Sequence, residues 1–154
     1  MVEERIDALP CIREESQARV LRAFGDELLL HLGTDDTGGK FSMWTNVTPP
    51  GGGPPPHYHE HEDEWFLPLS GPAEFFYDGT WSKVEAKTAV FMPRGVVHAF
   101  RNPGESDLRM LIQTIPGGFE KFFAECAEEF DNNTGPDMAR IVEISAQYGI
   151  HYVE

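Results

Sequence analysis

Three of the six histidines lie in a pattern that can hold a metal ion. His57 and His59 are separated by a single residue, and His98 follows much later in the chain. In a strand, residues i and i+2 point to the same face, so the imidazoles of His57 and His59 can converge on one ion. Glu64 follows after a segment long enough for a turn, so its carboxylate can return to the same site. Three imidazoles and a carboxylate suit one divalent transition metal (Fe, Mn, Ni, Co or Zn), and an octahedral ion would keep two positions open for reaction.

A fourth histidine, His61, and its acidic neighbours fit a solvent-exposed turn. His61 is in phase with His57 and His59 but lies where the chain must turn toward Glu64, so we expect it outside the metal site. The turn also carries Glu60, Glu62 and Asp63. We expect these carboxylates in solvent, with the alternative that one of them hydrogen-bonds a ligand imidazole.

The elements that must position these residues are short strands. Apolar and β-branched runs recur every eight to ten residues over residues 65–115, separated by turn residues, and this spacing favours an all-β sandwich or barrel. Gly25-Asp26 predicts a hairpin between two earlier strands. Five prolines and three glycines occupy residues 49–56. We interpret this segment as a rigid, extended entry to the site, since the halves beside it are too short to be domains joined by a linker.

After Gly117-Gly118 the apolar residues change to a helical period. The residues that follow this period are Phe119, Phe122, Phe123, Cys126 and Phe130. A second helix is predicted from about Pro136 to Tyr148. We expect the helical segment, about 117–149, to pack on a barrel core of about 18–115 within one domain spanning 1–154. The alternative for the first helix is a lid over a ligand.

The strand period also indicates what would surround the metal. Phe66 and Phe100 are in phase with Glu64 and His98, so both should face the interior of the barrel. Further candidates for the substrate pocket are Phe41, Met43, Phe91 and Met110. A pocket of these residues would be apolar and would suit a flat aromatic small molecule.

Charge and composition exclude several classes of partner. The chain has 12 Lys and Arg against 26 Asp and Glu, a net charge of −14, so nucleic acid and anionic membrane surfaces would be repelled. Residues 1–10 lack the apolar core of a signal peptide and no run of apolar residues is long enough to span a membrane, so we expect a cytoplasmic protein. Cys11 and Cys126 are far apart, which predicts neither a disulfide framework nor a thiolate zinc site.

Two stretches of the sequence resemble the two motifs of the cupin family. The first motif is matched by Gly51, His57, His59, Glu64 and Gly71. The later part of the second motif is matched by Pro93, Gly95, His98 and Asn102. Lys87 stands where that motif opens with a turn glycine, a departure that concerns local backbone geometry and not the metal ligands. The resemblance implies the cupin double-stranded β-helix, a jelly-roll barrel.

Within the family, the chain looks most like small single-domain cupins related to quercetin dioxygenases. That resemblance implies a metal-dependent dioxygenase acting on a small hydroxylated aromatic or enol substrate, with dioxygen as co-substrate and Glu64 as the candidate general base. A plain fourth ligand is the equal alternative for Glu64. The alternative functions are a non-redox metal-dependent isomerase or lyase, and a small-molecule-binding protein without turnover. A homodimer is a further family expectation.

Overall fold

The computed structural model describes residues 8–153, which form two antiparallel sheets, three α-helices and one short 3-10 helix (Glu15–Gln17). The larger sheet has the order β1 (Arg19–Ala23), β2 (Asp26–Leu32), β3 (Ser42–Thr48), β10 (Leu108–Ile115), β5 (Asp63–Pro68) and β8 (Val90–Met92). The smaller sheet has the order β11 (Ile150–Tyr152), β4 (His57–His59), β9 (His98–Arg101), β6 (Ala73–Tyr77) and β7 (Thr80–Val84). The α-helices are α1 (Thr34–Thr37), α2 (Phe119–Phe130) and α3 (Met138–Gln147). The predicted all-β fold with a C-terminal helical segment is confirmed.

The predicted hairpin joins β1 and β2, but its two connecting residues are Phe24 and Gly25, one residue earlier than the predicted Gly25-Asp26. Both have positive φ, 57° and 79°, as a two-residue turn of the primed type requires. The Phe24 ring packs against the rings of Phe122, Phe123 and Phe130 on α2. The hairpin is thereby held beneath this helix, and Asp26 becomes the buried first residue of β2.

Helix α2 has the predicted bounds of its apolar pattern, and its first turn is tied to the larger sheet. The carboxylate of Glu120 is buried and accepts hydrogen bonds from the Ser42 hydroxyl and the Thr34 amide. Burial works to raise the pKa of Glu120, but these hydrogen bonds outweigh it, so the net pKa is lowered. The helix is therefore anchored at the end nearest the histidine cluster.

The remainder of the C-terminal segment differs from the prediction in two ways. Helix α3 begins at Met138, later than predicted, because the Asp137 side chain caps it by accepting from the amides of Ala139 and Arg140. The chain then forms β11, an unpredicted strand that pairs with β4 and thus covers the edge of the smaller sheet beside the histidines. No helix among residues 8–153 is long and apolar enough to cross a membrane.

Candidate metal centre

Three buried histidines converge between the two sheets. His57 and His59 lie on β4, and His98 lies on β9 directly opposite His57 in the strand register. The side chains are almost fully buried, with exposed fractions of 8%, 2% and 2%. One nitrogen from each ring lies within 4.8 Å of the others, so the three imidazoles could hold one metal ion. The expected convergence of i and i+2 side chains with a histidine from a later strand is therefore present.

The outer nitrogen of each ring faces an acceptor. Nδ1 of His57 lies 2.8 Å from the carbonyl oxygen of Pro55, and Nδ1 of His98 lies 2.9 Å from that of Val96. Nδ1 of His59 lies 3.4 Å from Oε2 of Glu62. Because a carbonyl oxygen only accepts, the proton of the His57 ring belongs on Nδ1 and the lone pair of its Nε2 points inward. Both nitrogens of His98 face acceptors, since its Nε2 also lies 3.2 Å from Oε1 of Glu64.

Glu64 completes the cluster from the larger sheet. Its side chain on β5 is 5% exposed, and Oε1 lies 3.2 Å from Nε2 of His98 and 3.9 Å from Nε2 of His59. Neither ring nitrogen of His59 has a hydrogen-bond partner within residues 8–153, and for the inward-facing Nε2 this is costly unless a ligand occupies the site. Three imidazoles, a carboxylate and this orphaned nitrogen fit a divalent transition metal.

The pKa values of residues in the cluster are shifted in different directions. Burial, followed by the neighbouring imidazoles of His98 and His59, lowers the pKa of His57 to about 3. Burial also works to lower the pKa of His59, but Glu62 and Glu64 outweigh it and the net pKa is raised. For Glu64, burial works to raise the pKa, and contacts with the histidines reverse the sign, so the net pKa is lowered. The carboxylate is thus kept as an anion among imidazoles.

The Pro- and Gly-rich segment before β4 is held in place by β9 and its following loop. Asn102 donates to the Thr48 carbonyl, and its backbone exchanges hydrogen bonds with Gly51 and Gly52. Gly53 has φ 139°, and a Cβ at this position would collide with the carbonyl oxygen of Phe100. This close approach fixes the path of the segment along β9, and the segment places the Pro55 carbonyl oxygen against Nδ1 of His57.

A narrow cavity of about 80 Å³ opens from the cluster and is walled mostly by aromatic rings. Its lining includes His57, His59, Glu64, Phe66, Phe100, Trp44, Phe119, Phe122, Phe123, Asp26, Asn46 and Tyr152. Phe119 of α2 stacks on Trp44 with ring centroids 4.5 Å apart and lies 6.3 Å from the His59 ring. Ligand pockets usually enclose about 300–1,000 Å³. The α2 rings therefore occupy space that a larger ligand would need.

Two of the six predicted pocket residues line this cavity, Phe66 and Phe100. Phe41 precedes β3, and Met43 lies on the outward face of that strand, because Ser42, Trp44 and Asn46 point inward. Phe91 is wrongly predicted as well: its side chain is 61% exposed, since Met92 is the inward residue of β8. Met110 is fully buried in the core and is absent from the cavity lining. Period two identifies alternate residues but does not determine which set points inward.

His61 lies outside the cluster, as expected. Its side chain is 66% exposed and lies 3.3 Å from a carboxylate oxygen of Glu60. Glu60 also contacts His151 of β11, at 2.6 Å.

Sequence reasoning missed several groups that line the cavity. Asp26 and Asn46 come from β2 and β3, and Tyr152 comes from β11, with its ring 6.3 Å from that of His57. The one signal in the sequence for Asn46 was a polar side chain within a predicted strand. Nothing local in the sequence brings Tyr152 back to His57, because that contact depends on how α3 packs.

Comparison with known proteins agrees with this fold and site. Residues 45–113 match the family model described as the cupin domain. Over these 69 of its 154 residues the chain is a cupin domain. Among solved cupin-fold structures, a predicted oxalate decarboxylase from Thermotoga maritima superposes with a TM-score of 0.64 at 23% identity, covering 69% of this chain and 99% of that one. The polyketide cyclase RemF from Streptomyces resistomycificus gives 0.60 at 24% identity, covering 70% and 80%. At these identities the likeness shows the fold alone.

Curated relatives of this cupin match about half of its length. The alginate biosynthesis protein AlgA of Pseudomonas putida is 29% identical over 76 residues, which are 49% of this chain and 16% of AlgA. The polyketide synthase CurC of Streptomyces cyaneus is 30% identical over 74 residues, 48% of each protein. The chain therefore spans less than half the length of either relative.

Proposed function

We propose that this cupin is a metal-dependent dioxygenase acting on a small hydroxylated aromatic or enol substrate. The observation that carries the proposal is the position of the histidine–carboxylate cluster at the end of a buried, aromatic-walled cavity. His57, His59, His98 and Glu64 hold the metal in this proposal. When bound, a divalent metal would supply a Lewis acid for a substrate oxygen and, with a redox-active ion, a means of activating dioxygen.

The charge of the donor set favours an anionic substrate oxygen. Glu64 is the single carboxylate of the cluster, so a divalent ion would leave a local charge near +1 in a protein whose net charge is −14. A deprotonated phenol or enol would neutralise this charge. Polyanions are repelled by the rest of the surface, which favours a small substrate with one acidic hydroxyl group.

The side chains around the cavity have two tasks in this proposal. Phe66, Phe100 and Trp44 offer apolar faces against which a flat ring can be oriented, and the buried walls exclude water. Phe119 and its neighbours on α2 must move for any substrate larger than the narrow cavity. The helix would then act as a lid whose opening breaks the hydrogen bonds of Glu120 with Ser42 and Thr34.

Glu64 has a second task in the proposal, the movement of a proton. Its Oε1 is directed at His98 and His59, and Oε2 is the oxygen left to accept the proton of a substrate hydroxyl. A carboxylate that takes up no proton is a ligand and not a base. The pH profile of turnover in a Glu64→Gln variant that retains metal separates these two roles.

A second candidate is a non-redox cyclase or isomerase acting on an aromatic keto or enol substrate. The CurC relative, named as a polyketide synthase, supports this candidate. The same residues would serve, since polarising a carbonyl and moving a proton need no dioxygen.

Metal analysis and oxygen uptake test the proposal. The protein is purified, its metal content measured, and oxygen consumption followed with quercetin after loading with Fe, Mn, Ni or Co. We expect consumption by the wild type and by His61→Ala, and loss of both metal and consumption in the His57→Ala/His98→Ala double variant. A double variant that keeps stoichiometric metal contradicts the ligand assignment. If quercetin binds but no oxygen is consumed with any of these metals, the dioxygenase proposal is overturned. The non-redox candidate then remains, and anaerobic product analysis tests it.

A further inference from the structure

Asp26 is a buried carboxylate that neither the fold nor the proposed metal site uses. Its exposed fraction is 9%, and Oδ2 accepts a hydrogen bond of 2.9 Å from the Asn46 amide. Oδ1 is buried and has no hydrogen-bond partner among the described residues. A buried carboxylate with one oxygen unsatisfied is costly, so its presence requires an explanation.

The orientation of Asp26 is imposed by its neighbours. The Asn46 amide also donates to the Thr48 hydroxyl at 3.0 Å, so both of its N–H groups are used and the amide cannot flip freely. This network orients Oδ2 of Asp26 and leaves Oδ1 without a hydrogen-bond partner among the described residues. Asp26 and Asn46 both line the cavity that contains the histidine cluster.

The strand register places Asp26 far from Glu64. Asn46, its partner, lies opposite Met110, which in turn lies opposite Pro68 on β5. Pro68 is four residues beyond Glu64, which corresponds to about 13 Å along an extended strand. Polar groups therefore stand at both ends of the cavity, with Trp44 and Phe119 stacked between them.

We propose that Asp26 is a substrate-recognition residue whose free oxygen accepts a hydrogen bond from a hydroxyl group at the end of the substrate remote from the metal. The inference rests on the proposed function and names its substrate class: an elongated, flat aromatic molecule with a hydroxyl at each end. A substrate of this shape would occupy the slot against Trp44 that Phe119 fills. A hydrogen bond to a buried carboxylate also discriminates against an analogue that lacks the donor.

A binding experiment on metal-free protein tests Asp26 apart from catalysis. Phenol and toluene have similar shapes, but only phenol can donate a hydrogen bond. Their dissociation constants are measured by NMR titration for the wild type, Asp26→Asn, Asp26→Leu and Glu27→Gln. Glu27 is the matched control, because it is adjacent on β2, bonds to Arg22 at the surface and is absent from the cavity.

We expect the ratio of the toluene to the phenol dissociation constant to fall at least about tenfold in Asp26→Leu, with Asp26→Asn intermediate and Glu27→Gln unchanged. Asp26→Asn keeps the shape of the side chain, so it remains informative if Asp26→Leu does not fold. A ratio that is unchanged in both Asp26 variants overturns the proposal, as does the absence of phenol binding to the wild type at 20 mM. Since no metal is present, failure of the dioxygenase proposal would not alter this result.

Discussion

At the scale of single residues, the orientation of the three imidazoles depends on the acceptors that face their outer nitrogens. Two of these acceptors are backbone carbonyls, at Pro55 and Val96, and the third is the side chain of Glu62. Only the third can be removed by substitution without changing the backbone. Glu62 was one of three carboxylates expected to lie in solvent or to hydrogen-bond a ligand imidazole. Its Oε2 is buried 3.4 Å from Nδ1 of His59, a distance that allows an ion pair, but the two atoms form no hydrogen bond.

Glu62→Gln tests this contact. The amide is a weaker acceptor than the carboxylate, so we expect metal affinity to fall about 10–100-fold. Competition with a chelating dye measures the change. Glu60→Gln is the matched control, because Glu60 bonds to His61 and His151 on the surface, and its metal affinity should equal that of the wild type. Equal affinities of the two variants would contradict a supporting role for Glu62.

At the scale of elements, the turn before β8 shows how the fold absorbs a departure from the cupin motif. Lys87 stands at the position of the motif's turn glycine and adopts φ 65°, the left-handed conformation that glycine would favour. Its amide donates to the Pro68 carbonyl at 2.8 Å. The turn is therefore retained despite the substitution, at the cost of a strained lysine.

Lys87→Gly is expected to stabilise the protein by about 1 kcal/mol, since relief of the left-handed strain outweighs the entropy of an added glycine. Urea denaturation measures the difference. Lys83→Gly, an exposed position within β7, should instead cost about 0.5–1 kcal/mol. Destabilisation by Lys87→Gly equal to that by Lys83→Gly would show that the backbone at this turn carries no strain.

At the scale of the whole molecule, the net charge of −14 and the buried Asp26 act on stability in the same direction as pH rises. Burial raises the pKa of Asp26 to about 6, while the hydrogen bond from Asn46 and the neighbouring Thr48 hydroxyl work to lower it. A carboxyl whose pKa is higher in the folded than in the unfolded state destabilises the fold when it ionises. This cost is absent below about pH 4 and complete above about pH 6.

Asp26→Asn removes that cost. The free energy of unfolding of the variant, relative to the wild type, should therefore rise by roughly 3 kcal/mol between pH 3 and pH 7.5. Denaturation curves across this range measure it. Asp36→Asn should show the opposite trend, because hydrogen bonding to Arg13 lowers the pKa of Asp36 and stabilises the fold once the carboxyl ionises. A pH-independent difference for Asp26→Asn would contradict the prediction.

Homodimerisation stays a prediction at this scale. In the described part of the chain β1 pairs with β2 alone, so one edge of the larger sheet is available to a second copy. Sedimentation equilibrium of the purified protein decides it.

The sequence by itself determined the histidine cluster and the class of fold. Spacing i, i+2 in a strand forces His57 and His59 to one face, and short strands between turn residues indicate antiparallel sheets. Helix α2 could likewise be predicted from local sequence, because its apolar period does not depend on the surface against which it packs. Such features depend on backbone geometry within a few residues.

Only the tertiary structure decided which alternate residues face the cavity. Along β3 either Met43 or Trp44 could point inward, and packing against α2 selected Trp44, which stacks on Phe119. The pairing of Asp26 with Asn46 and the return of Tyr152 to His57 likewise join residues remote in sequence. A period of two leaves both faces of a strand equivalent until burial distinguishes them. The convergence of the three histidines could therefore be predicted, while most of the cavity lining could not.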